Sequence, residues 1–318
     1  MTAARFEVLV VGAGVLGQVF AAHLTAGGAS VAFLVKPERE PRVRAGLRLW
    51  RVRRFGRPIE TTLRPHEVFC EATLPRDRRW DTVLLCVDAT ALRAGLLPGL
   101  AAAVGQATVA SIGQAAGDAA LLAQAFPAEQ IVAVVPSMLA WDGPLASETP
   151  GPGVTYWLPP LSSLAVGGPR DRAMPLVAAL RRGKLRAHHA PAAAASGARF
   201  AALTMPYLAA LELAGWSLTA LRRSAALELA ARAASQATSA VATMPARTSG
   251  GRAWLARLAL RALPHLVPFD LERYLARHFT KVGRQTLLML QEWAALGRQR
   301  GRDVSAVERL AAALEDAR

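Results

Sequence analysis

The feature that most constrains the fold is a glycine turn near the N-terminus, Gly12-Ala13-Gly14-Val15-Leu16-Gly17, directly after an apolar run at residues 8–11. A helical pattern over residues 18–25 and a second apolar run at residues 30–35 complete a strand–helix–strand unit. The first glycine of such a turn permits the tight bend, the second lets a pyrophosphate approach the backbone, and the third allows close helix–strand packing. Free N–H groups at the helix N-terminus favour phosphates. The sequence therefore predicts a dinucleotide-binding unit.

The end of the second predicted strand indicates which dinucleotide is bound. Sites that prefer NAD place Asp or Glu there to accept hydrogen bonds from the ribose hydroxyls. This chain has Lys36, followed by Arg39, Arg42 and Arg44. An ammonium group cannot accept those hydrogen bonds, but it can pair with a 2′-phosphate, so we predict NADP(H). The alternative is that Lys36 is a solvated strand end and that Glu38 takes the acceptor role.

The rest of the first half continues to alternate strands and helices. Apolar strands are predicted at residues 82–87, 108–112 and 131–135. Uninterrupted apolar strands separated by helices are typical of a parallel sheet covered on both faces. From about Arg199 the pattern is helical to the end of the sequence. The predicted fold class is α/β, a Rossmann-type doubly wound parallel sheet followed by an all-α C-terminal domain.

This pattern divides the chain into two predicted domains. Residues 1–190 form the NADP-binding Rossmann domain, and residues 191–318 form an all-α substrate and dimerisation domain that begins with a linker at 191–196. We expect the active site in the cleft between them. The predicted helices of the second domain cover residues 199–214, 218–240, 251–262, 270–297 and 305–318. Asp270 is the expected N-cap of the fourth, and Ser305 with Glu308 forms a capping box for the last.

Composition excludes several other classes of protein. The formal net charge is +15, but only three of the 38 basic residues are Lys. No basic run is interleaved with aromatic residues, so we predict no nucleic-acid partner. The two cysteines, Cys70 and Cys86, suit neither a disulfide framework nor a metal site. The uncharged stretch 94–117 is broken by Pro98 and by several Gly and Gln. We therefore expect no membrane span, no signal peptide and a cytoplasmic location.

Several segments together resemble the ketopantoate reductases (2-dehydropantoate 2-reductases). They are Val10 to Gly17, Leu34 to Arg39, Gly46 to Leu49, Asp81 to Val87 and, more loosely, His278 to Thr286. The resemblance implies NADPH-dependent reduction of a small 2-oxo acid, ketopantoate or a similar compound, to the 2-hydroxy acid, a reaction of pantothenate biosynthesis. It also implies that the first domain binds NADPH.

Three positions depart from that family's pattern. The Lys that usually follows the fourth strand is Asp88 here, and the Asn-Gly pair after the fifth strand aligns with Gln114-Ala115. The family's catalytic Lys lies in the first helix of the second domain, where this chain has Leu208 and no Lys nearby. The usual proton donor is therefore missing from its position. The alternative function is an NADP(H)-binding protein of this fold that has lost catalysis and acts by binding.

Other residues could supply the chemistry, because hydride transfer needs a proton donor and a group that stabilises the oxyanion. On the predicted helix 270–297, His278, Lys281 and Gln285 share one face. A Lys can give up a proton where an Arg effectively cannot, so Lys281 is the first catalytic candidate, with His278 assisting. The alternative is an ordinary polar helix face. Gln114 is the third catalytic candidate, since its amide can bond a nicotinamide or a substrate carbonyl.

The predicted cofactor contacts are Gly12, Gly14, Val15, Leu16, Gly17, Lys36, Val87 and Gln114. Glu212, Tyr207 and the pair His188-His189 are weaker candidates for which structural roles are expected, and Asp88 is expected to cap the helix that follows it. The remaining partners expected are a small-molecule substrate and a second copy of the chain in a homodimer.

Overall fold

The computed structural model describes residues 5–113, 115–242 and 253–318. The predicted site residue Gln114 and the start of the predicted helix 251–262 lie outside these ranges. The described residues form two compact units. The first runs to Gly113 and continues over Asp118–Ala194; the second comprises the short segment that ends at Gly117 and Ala195–Arg318. The functional roles that we expect for domains 1–190 and 191–318 stay a prediction.

The first unit contains all the described strands. They are β1 Glu7–Val11, β2 Ser30–Leu34, β3 Leu47–Val52, β4 Ile59–Leu63, β5 Glu67–Phe69, β6 Thr82–Leu85, β7 Thr108–Ser111, β8 Ile131–Val135, β9 Leu139–Gly143, β10 Gly153–Trp157, β11 Leu164–Val166 and β12 Ala187–His189. An eight-stranded sheet has the order β12-β11-β8-β7-β6-β1-β2-β5. Its strands are parallel from β8 to β5, while β11 pairs antiparallel with β8.

The large sheet is covered on both faces, as predicted. The helices of this unit are α1 Val15–Ala26, α2 Glu40–Arg44, α3 Ala89–Leu92, α4 Leu96–Val104, α5 Asp118–Ala125 and α6 Arg170–Arg182. Val8 and Val10 of β1 point into a core shared with α1 and α6, while Leu9 and Val11 point into a core shared with α4 and α5. The alternation explains the continuous apolar sequence of β1, because a strand buried on both faces needs apolar residues at every position.

A second sheet was missed by the sequence analysis. It has four strands in the order β4-β3-β10-β9, and β10 is parallel to β3 but antiparallel to β9. Helix α1 packs against this sheet as well as against the large one. It is therefore held between two sheets, which fixes the direction of its N-terminus.

The described part of the second unit is helical, as predicted. Its helices are α7 Ala193–Leu213, α8 Leu218–Arg223, α9 Ala226–Val241, α10 Ala253–Leu266, α11 Leu271–Lys281, α12 Gly283–Gln299 and α13 Ser305–Asp316. Helices α9, α12 and α13 pack together. Trp293 and Leu290 of α12 are fully buried, and the Ala-rich face of α9 allows the close approach of its neighbours.

Four details of the predicted helices are wrong. The predicted helix 218–240 is broken after Arg223, and the predicted helix 270–297 is broken at Val282, whose ψ of 18° leaves the helical region. The first part of the predicted linker 191–196 is correct, but α7 begins within it at Ala193. The expected capping box of α13 does not form. Asp303 accepts from the Ser305 N–H instead, and Glu308 pairs with Arg298.

Two features are absent from the described part of the chain. No helix among the described residues is long and apolar enough to cross a bilayer. In the same ranges, no group of three or more His, Cys, Asp or Glu side chains is arranged to hold a metal ion.

Candidate functional site

The glycine turn joins β1 to α1 at the carboxyl edge of the large sheet. Gly12 has φ +94°, which favours glycine, and its N–H donates to the Leu34 carbonyl at 2.9 Å. A Cβ on Gly12 would lie 2.9 Å from the carbonyl oxygen of Cys86 and 3.0 Å from Cγ1 of Val87. A Cβ on Gly17 would clash with the carbonyl oxygen of Gly12. Two of the three glycines are thus required by close contacts, Gly12 with the residues that follow β6 and Gly17 within the turn itself.

Gly14 has a different role, because nothing crowds it. Its backbone is extended, and a Cβ there would meet only the Cys86 carbonyl oxygen, at 3.9 Å. Gly14 is the N-cap of α1, yet no described side chain caps the helix and its first turn has no acidic residue. The N–H groups of the first turn and the positive end of the helix dipole therefore face an open approach, which suits an anion. The turn fits the pyrophosphate of a dinucleotide.

Gln18 is a residue of this turn that the sequence analysis missed. Its side chain is buried, and its Nε2 donates to the carbonyl of Ala13 at 2.9 Å. Its backbone N–H donates to the carbonyl of Gly14 at 3.0 Å. These two hydrogen bonds hold the peptide groups directly before and after Gly14. The available signal was a polar residue in the otherwise apolar start of α1.

Lys36 and Asp88 flank the turn, because β2 and β6 are the two neighbours of β1. Lys36 is exposed two residues after the end of β2. Asp88 caps α3 as expected, accepting from the N–H of Ala91 at 2.8 Å and from the Thr90 hydroxyl at 2.5 Å. Burial alone would raise the pKa of the Asp88 carboxyl, but these hydrogen bonds and the charge of Lys36 outweigh it and lower the pKa. Lys36 therefore has a carboxylate within electrostatic range.

A buried ion pair links the loops after β6 and β7. The Asp118 side chain is 4% exposed, and its Oδ1 accepts from Nη1 of Arg93 at 2.7 Å. The same guanidinium nitrogen donates to the carbonyl of Ala89 at 2.8 Å. A Cβ on Gly113 would clash with the Asp118 carboxylate. This pair, which the sequence analysis missed, holds the backbone directly before the predicted site residue Gln114.

The second-unit candidates lie on two helices rather than one. His278 and Lys281 are both on α11, but Gln285 is on α12, beyond the break at Val282. The predicted common face of all three is therefore wrong. The His278 ring stacks on Tyr274 with centroids 5.6 Å apart and meets Phe279 edge-on at 4.9 Å. Lys281 is exposed at the C-terminal end of α11.

The weaker candidates have structural partners. Glu212 forms a two-point ion pair with Arg318, at 3.0 and 3.1 Å. The two histidines of β12 bond to different groups, His188 to the Ser163 hydroxyl and His189 to the Gly168 carbonyl. Tyr207 and Leu208 are half-buried on α7, and burial raises the pKa of the Tyr207 hydroxyl.

Comparison with known proteins identifies the first unit. Residues 8–159 match the family model of ketopantoate reductase PanE/ApbA. This match contains the glycine turn, Lys36, Asp88 and both partners of the buried ion pair. A search of curated proteins found no match to this chain.

Solved structures match over nearly the whole chain. The 2-dehydropantoate 2-reductase of Geobacter metallireducens is 18% identical with a TM-score of 0.72, and the match covers 98% of this chain and 100% of that one. D-mandelate dehydrogenase, solved with NADH and anilino(oxo)acetate, is 14% identical with a TM-score of 0.71, covering 98% and 97%. Dimeric ketopantoate reductase from Staphylococcus aureus is 9% identical with a TM-score of 0.68, covering 98% of each chain. Residues 8–159 thus belong to the ketopantoate reductase PanE/ApbA family, and the chain has the fold of those enzymes over nearly its whole length.

Proposed function

We propose that this protein is an NADPH-dependent oxidoreductase that reduces a small 2-oxo acid, ketopantoate or a similar compound, to the 2-hydroxy acid. The observation that carries the proposal is the glycine turn, in which Gly12 and Gly17 admit no side chain while Gly14 leaves the uncapped α1 open to an anion. The family match over residues 8–159 and the NADH found in D-mandelate dehydrogenase support the same class.

The first unit would hold the cofactor in two places. The backbone of Gly12 and Gly14 and the first-turn N–H groups of Val15, Leu16 and Gly17 would bind the pyrophosphate. Lys36 would pair with the 2′-phosphate, and Val87, whose Cγ1 would lie 3.0 Å from a Cβ built on Gly12, would border the turn. The charge of Lys36 lowers the pKa of Asp88, so the two side chains interact electrostatically. We therefore propose that the balance of their charges sets the preference for NADPH over NADH.

The bound nicotinamide supplies a hydride, and the protein must supply the rest. Hydride addition to the carbonyl carbon of a 2-oxo acid leaves an alkoxide, which needs a proton and, until then, a stabilising charge. We propose Lys281 as that proton donor, with His278 one helical turn earlier on the same helix and Gln114 as the hydrogen-bond donor to the substrate oxygen. Each is a proposal from residue chemistry.

A second candidate function is cofactor binding without catalysis. It is favoured by Leu208 on α7, a half-buried apolar residue at the position where the family resemblance leads us to expect the catalytic Lys. In that case the turn would still bind NADP(H), and Lys281 would be an ordinary solvated residue.

We also propose a homodimer. Helix α10 carries large apolar side chains that are exposed, among them Trp254 at 62% and Leu258 at 60%. A patch of this kind on a folded protein marks an interaction surface, and a relative of the same fold is dimeric.

The first experiment tests the turn with Gly14→Asp. The backbone of Gly14 is compatible with any residue and its Cβ has room, so the variant should fold. At an N-cap, Asp stabilises a helix relative to Gly by only about a few tenths of a kcal/mol, so folding should not suffer, but its charge would repel a pyrophosphate. We expect an equal or higher melting temperature together with loss of NADPH binding, followed by quenching of tryptophan fluorescence. Gly14→Ala is the uncharged control. Unchanged binding in Gly14→Asp would refute the proposed cofactor site.

The second experiment tests coenzyme preference with Lys36→Gln. Losing one charge-assisted contact to the 2′-phosphate should weaken NADPH binding about tenfold, while NADH binding stays the same. The control is Arg79→Gln. Arg79 is an exposed cation that precedes β6, at the amino ends of the strands, whereas the glycine turn lies at their carboxyl ends. Equal losses for NADPH and NADH would argue against the role of Lys36.

The third experiment separates the two candidate functions. Purified protein is supplied with NADPH and a panel of 2-oxo acids, and the decrease in NADPH absorbance is followed. We expect turnover that survives Leu208→Ala and is lost in Lys281→Ala. Tight NADPH binding without turnover on any 2-oxo acid would favour the non-catalytic function.

A further inference from the structure

A charged cavity lies in the first unit, lined by none of the residues of the glycine turn. It has a volume of about 430 Å³ and is formed by the C-terminal end of α6, the turn that follows it and the residue before β11. It is lined by Ser163, Arg181, Lys184, Leu185, Arg186 and Ala187. Half of these residues are cations and none is acidic. The volume is in the range of about 300–1,000 Å³ that is typical of small-molecule sites.

Lys184 occupies a position where the backbone favours glycine. Its φ is +62°, its N–H donates to the Arg181 carbonyl at 2.9 Å, and the next N–H, of Leu185, donates to the Leu180 carbonyl at 3.0 Å. This pair of bonds is the left-handed ending that usually has glycine at the position of Lys184. The residue is also one of only three lysines in the chain. The helix ending accounts for the left-handed backbone of Lys184, but it does not account for the presence of a lysine where glycine is usual.

The other polar groups around the cavity are held in place. Nε of Arg181 donates to the Ala187 carbonyl at 2.7 Å, and the Ser163 hydroxyl bonds to Nδ1 of His188 at 2.9 Å. Among the described residues, no carboxylate pairs with Arg181, Lys184 or Arg186. The C-terminal end of a helix contributes roughly half a negative charge, which three cations exceed.

We propose that this cavity binds the phosphoryl group of a small metabolite. Arginine presents paired N–H donors that match phosphate oxygens, and a lysine adds a compact point charge. The proposal is independent of the proposed function, because the cavity shares no residue with the glycine turn. Phosphate binding would explain why this position has a lysine, whereas ending the helix usually requires only a glycine.

The test is calorimetric titration of the full chain with pyrophosphate and, separately, with inorganic phosphate, at constant ionic strength. It is done on the Gly14→Asp variant, so that the glycine turn does not contribute. We expect binding that becomes about fivefold weaker in Lys184→Gly and in Arg186→Gln, equivalent to about 1 kcal/mol each. Arg170→Gln, at the other end of α6, is the matched control and should bind like the parent.

The variant Lys184→Gly distinguishes a binding role from a structural one. Glycine relieves the left-handed backbone, so the melting temperature should be equal or higher while binding is weaker. The proposal is overturned if neither anion binds, if binding is unchanged in both cavity variants, or if Arg170→Gln weakens it as much. Unchanged NADPH binding in Gly14→Asp, with pyrophosphate binding that still weakens in Lys184→Gly and Arg186→Gln, would leave this proposal standing and count only against the glycine turn.

Discussion

Gly17 lies where the turn is tightest. A methyl group there would meet the carbonyl oxygen of Gly12, and a backbone atom cannot move aside as the end of a flexible side chain can. We predict that Gly17→Ala lowers the free energy of unfolding by at least about 1–3 kcal/mol, the usual cost of overpacking. Urea denaturation checks this, and NADPH affinity should fall with it. Gly28→Ala, at a left-handed position with no neighbouring atom within 4 Å, is a control that carries backbone strain alone.

His23 is a buried histidine on α1 that faces three other elements. Its Nδ1–H donates to the carbonyl of Gly183 at 2.7 Å, its ring packs edge-on against Tyr156, and its Nε2 has no hydrogen-bond partner among the described residues. Burial lowers the pKa of His23; the hydrogen bond to Gly183 offsets part of this effect, and the charge of Arg51 adds a smaller lowering of the pKa. The folded protein therefore holds this ring neutral.

The lowered pKa makes stability depend on pH in a definite direction. Unfolded His23 takes up a proton near its ordinary pKa of 6.5, while the folded protein resists it. The stabilising contribution is thus complete above pH 6.5 and is lost as pH falls towards the folded pKa, by at most about 1.4 kcal/mol per pH unit. Urea denaturation at pH 7.5 and 5.5 should show the loss. It should shrink in His23→Asn and persist in His66→Asn, an exposed control; a loss unchanged in His23→Asn would contradict the assignment.

Single residues were predictable where their role is local. Asp88 was expected to cap the following helix, and Asp270 to cap α11, because both precede a helical pattern; the structure confirms both. The Arg93–Asp118 pair was not predictable. Its partners are 25 residues apart, Arg93 just after α3 and Asp118 at the start of α5, and only the packing of two segments at neighbouring strand ends brings them together.

At the scale of elements, the breaks between helices were the least predictable feature. The predicted helix 270–297 has no Pro at its break, and the helical pattern continues on both sides. Gly283 was the available signal. A Cβ there would lie 2.7 Å from Nη2 of Arg318, the movable end of a long side chain, so this contact favours glycine without requiring it. Because the pattern predicted one continuous helix, it placed Gln285 on the same face as Lys281. The break at Val282 puts the two residues on different helices.

Helix α11 offers a test of capping in the second unit. The Asp270 carboxylate accepts from the N–H of Arg273 at 3.0 Å and forms an ion pair with its guanidinium at 3.3 Å. We predict that Asp270→Ala lowers the free energy of unfolding by about 1 kcal/mol, while Asp270→Asn, which can still cap, has a smaller effect. Chemical denaturation followed by circular dichroism measures both. Equal losses in the two variants would mean that the ion pair matters more than the cap.

The second sheet was missed for a physical reason. Four of the five residues of β4 are exposed, so this edge strand has no continuous apolar run. Strand β3 does alternate, with Arg48 exposed between the buried Leu47 and Leu49. That alternation is the usual signal of a half-buried strand, and it could have predicted β3.

At the scale of the whole molecule, the fold class was predictable because burial on both faces requires apolar strands. Thr82 to Leu85 and Ile131 to Val135 stand out for that reason, and the order of strands and helices then allows few topologies. The two strands at the β12 edge run against the rest of the large sheet. Short strands such as β11 and β12, of three residues each, contain too little pattern to indicate direction.

The proposed homodimer gives a prediction at this scale. Leu258→Glu would place a charge in the exposed apolar face of α10, and we expect the protein to change from dimer to monomer in light scattering after size-exclusion chromatography. Phe55→Glu is the control, since Phe55 is 83% exposed on the β3–β4 hairpin of the first unit. A dimer that persists in Leu258→Glu would exclude this face, and a monomeric parent would exclude the homodimer.

The short segment that ends at Gly117 has a consequence for attempts to dissect the chain. It is grouped with the second unit although the sequence on both sides belongs to the first, and the N–H of Gly117 donates to Glu292 of α12 at 3.0 Å. A fragment beginning at Ala195 would lack that donor. A single crossover at Ala195 between two relatives would likewise separate the segment from its partner helix. The two units are therefore not interchangeable modules, and a chimaera of this protein needs the segment and the helical unit from the same parent.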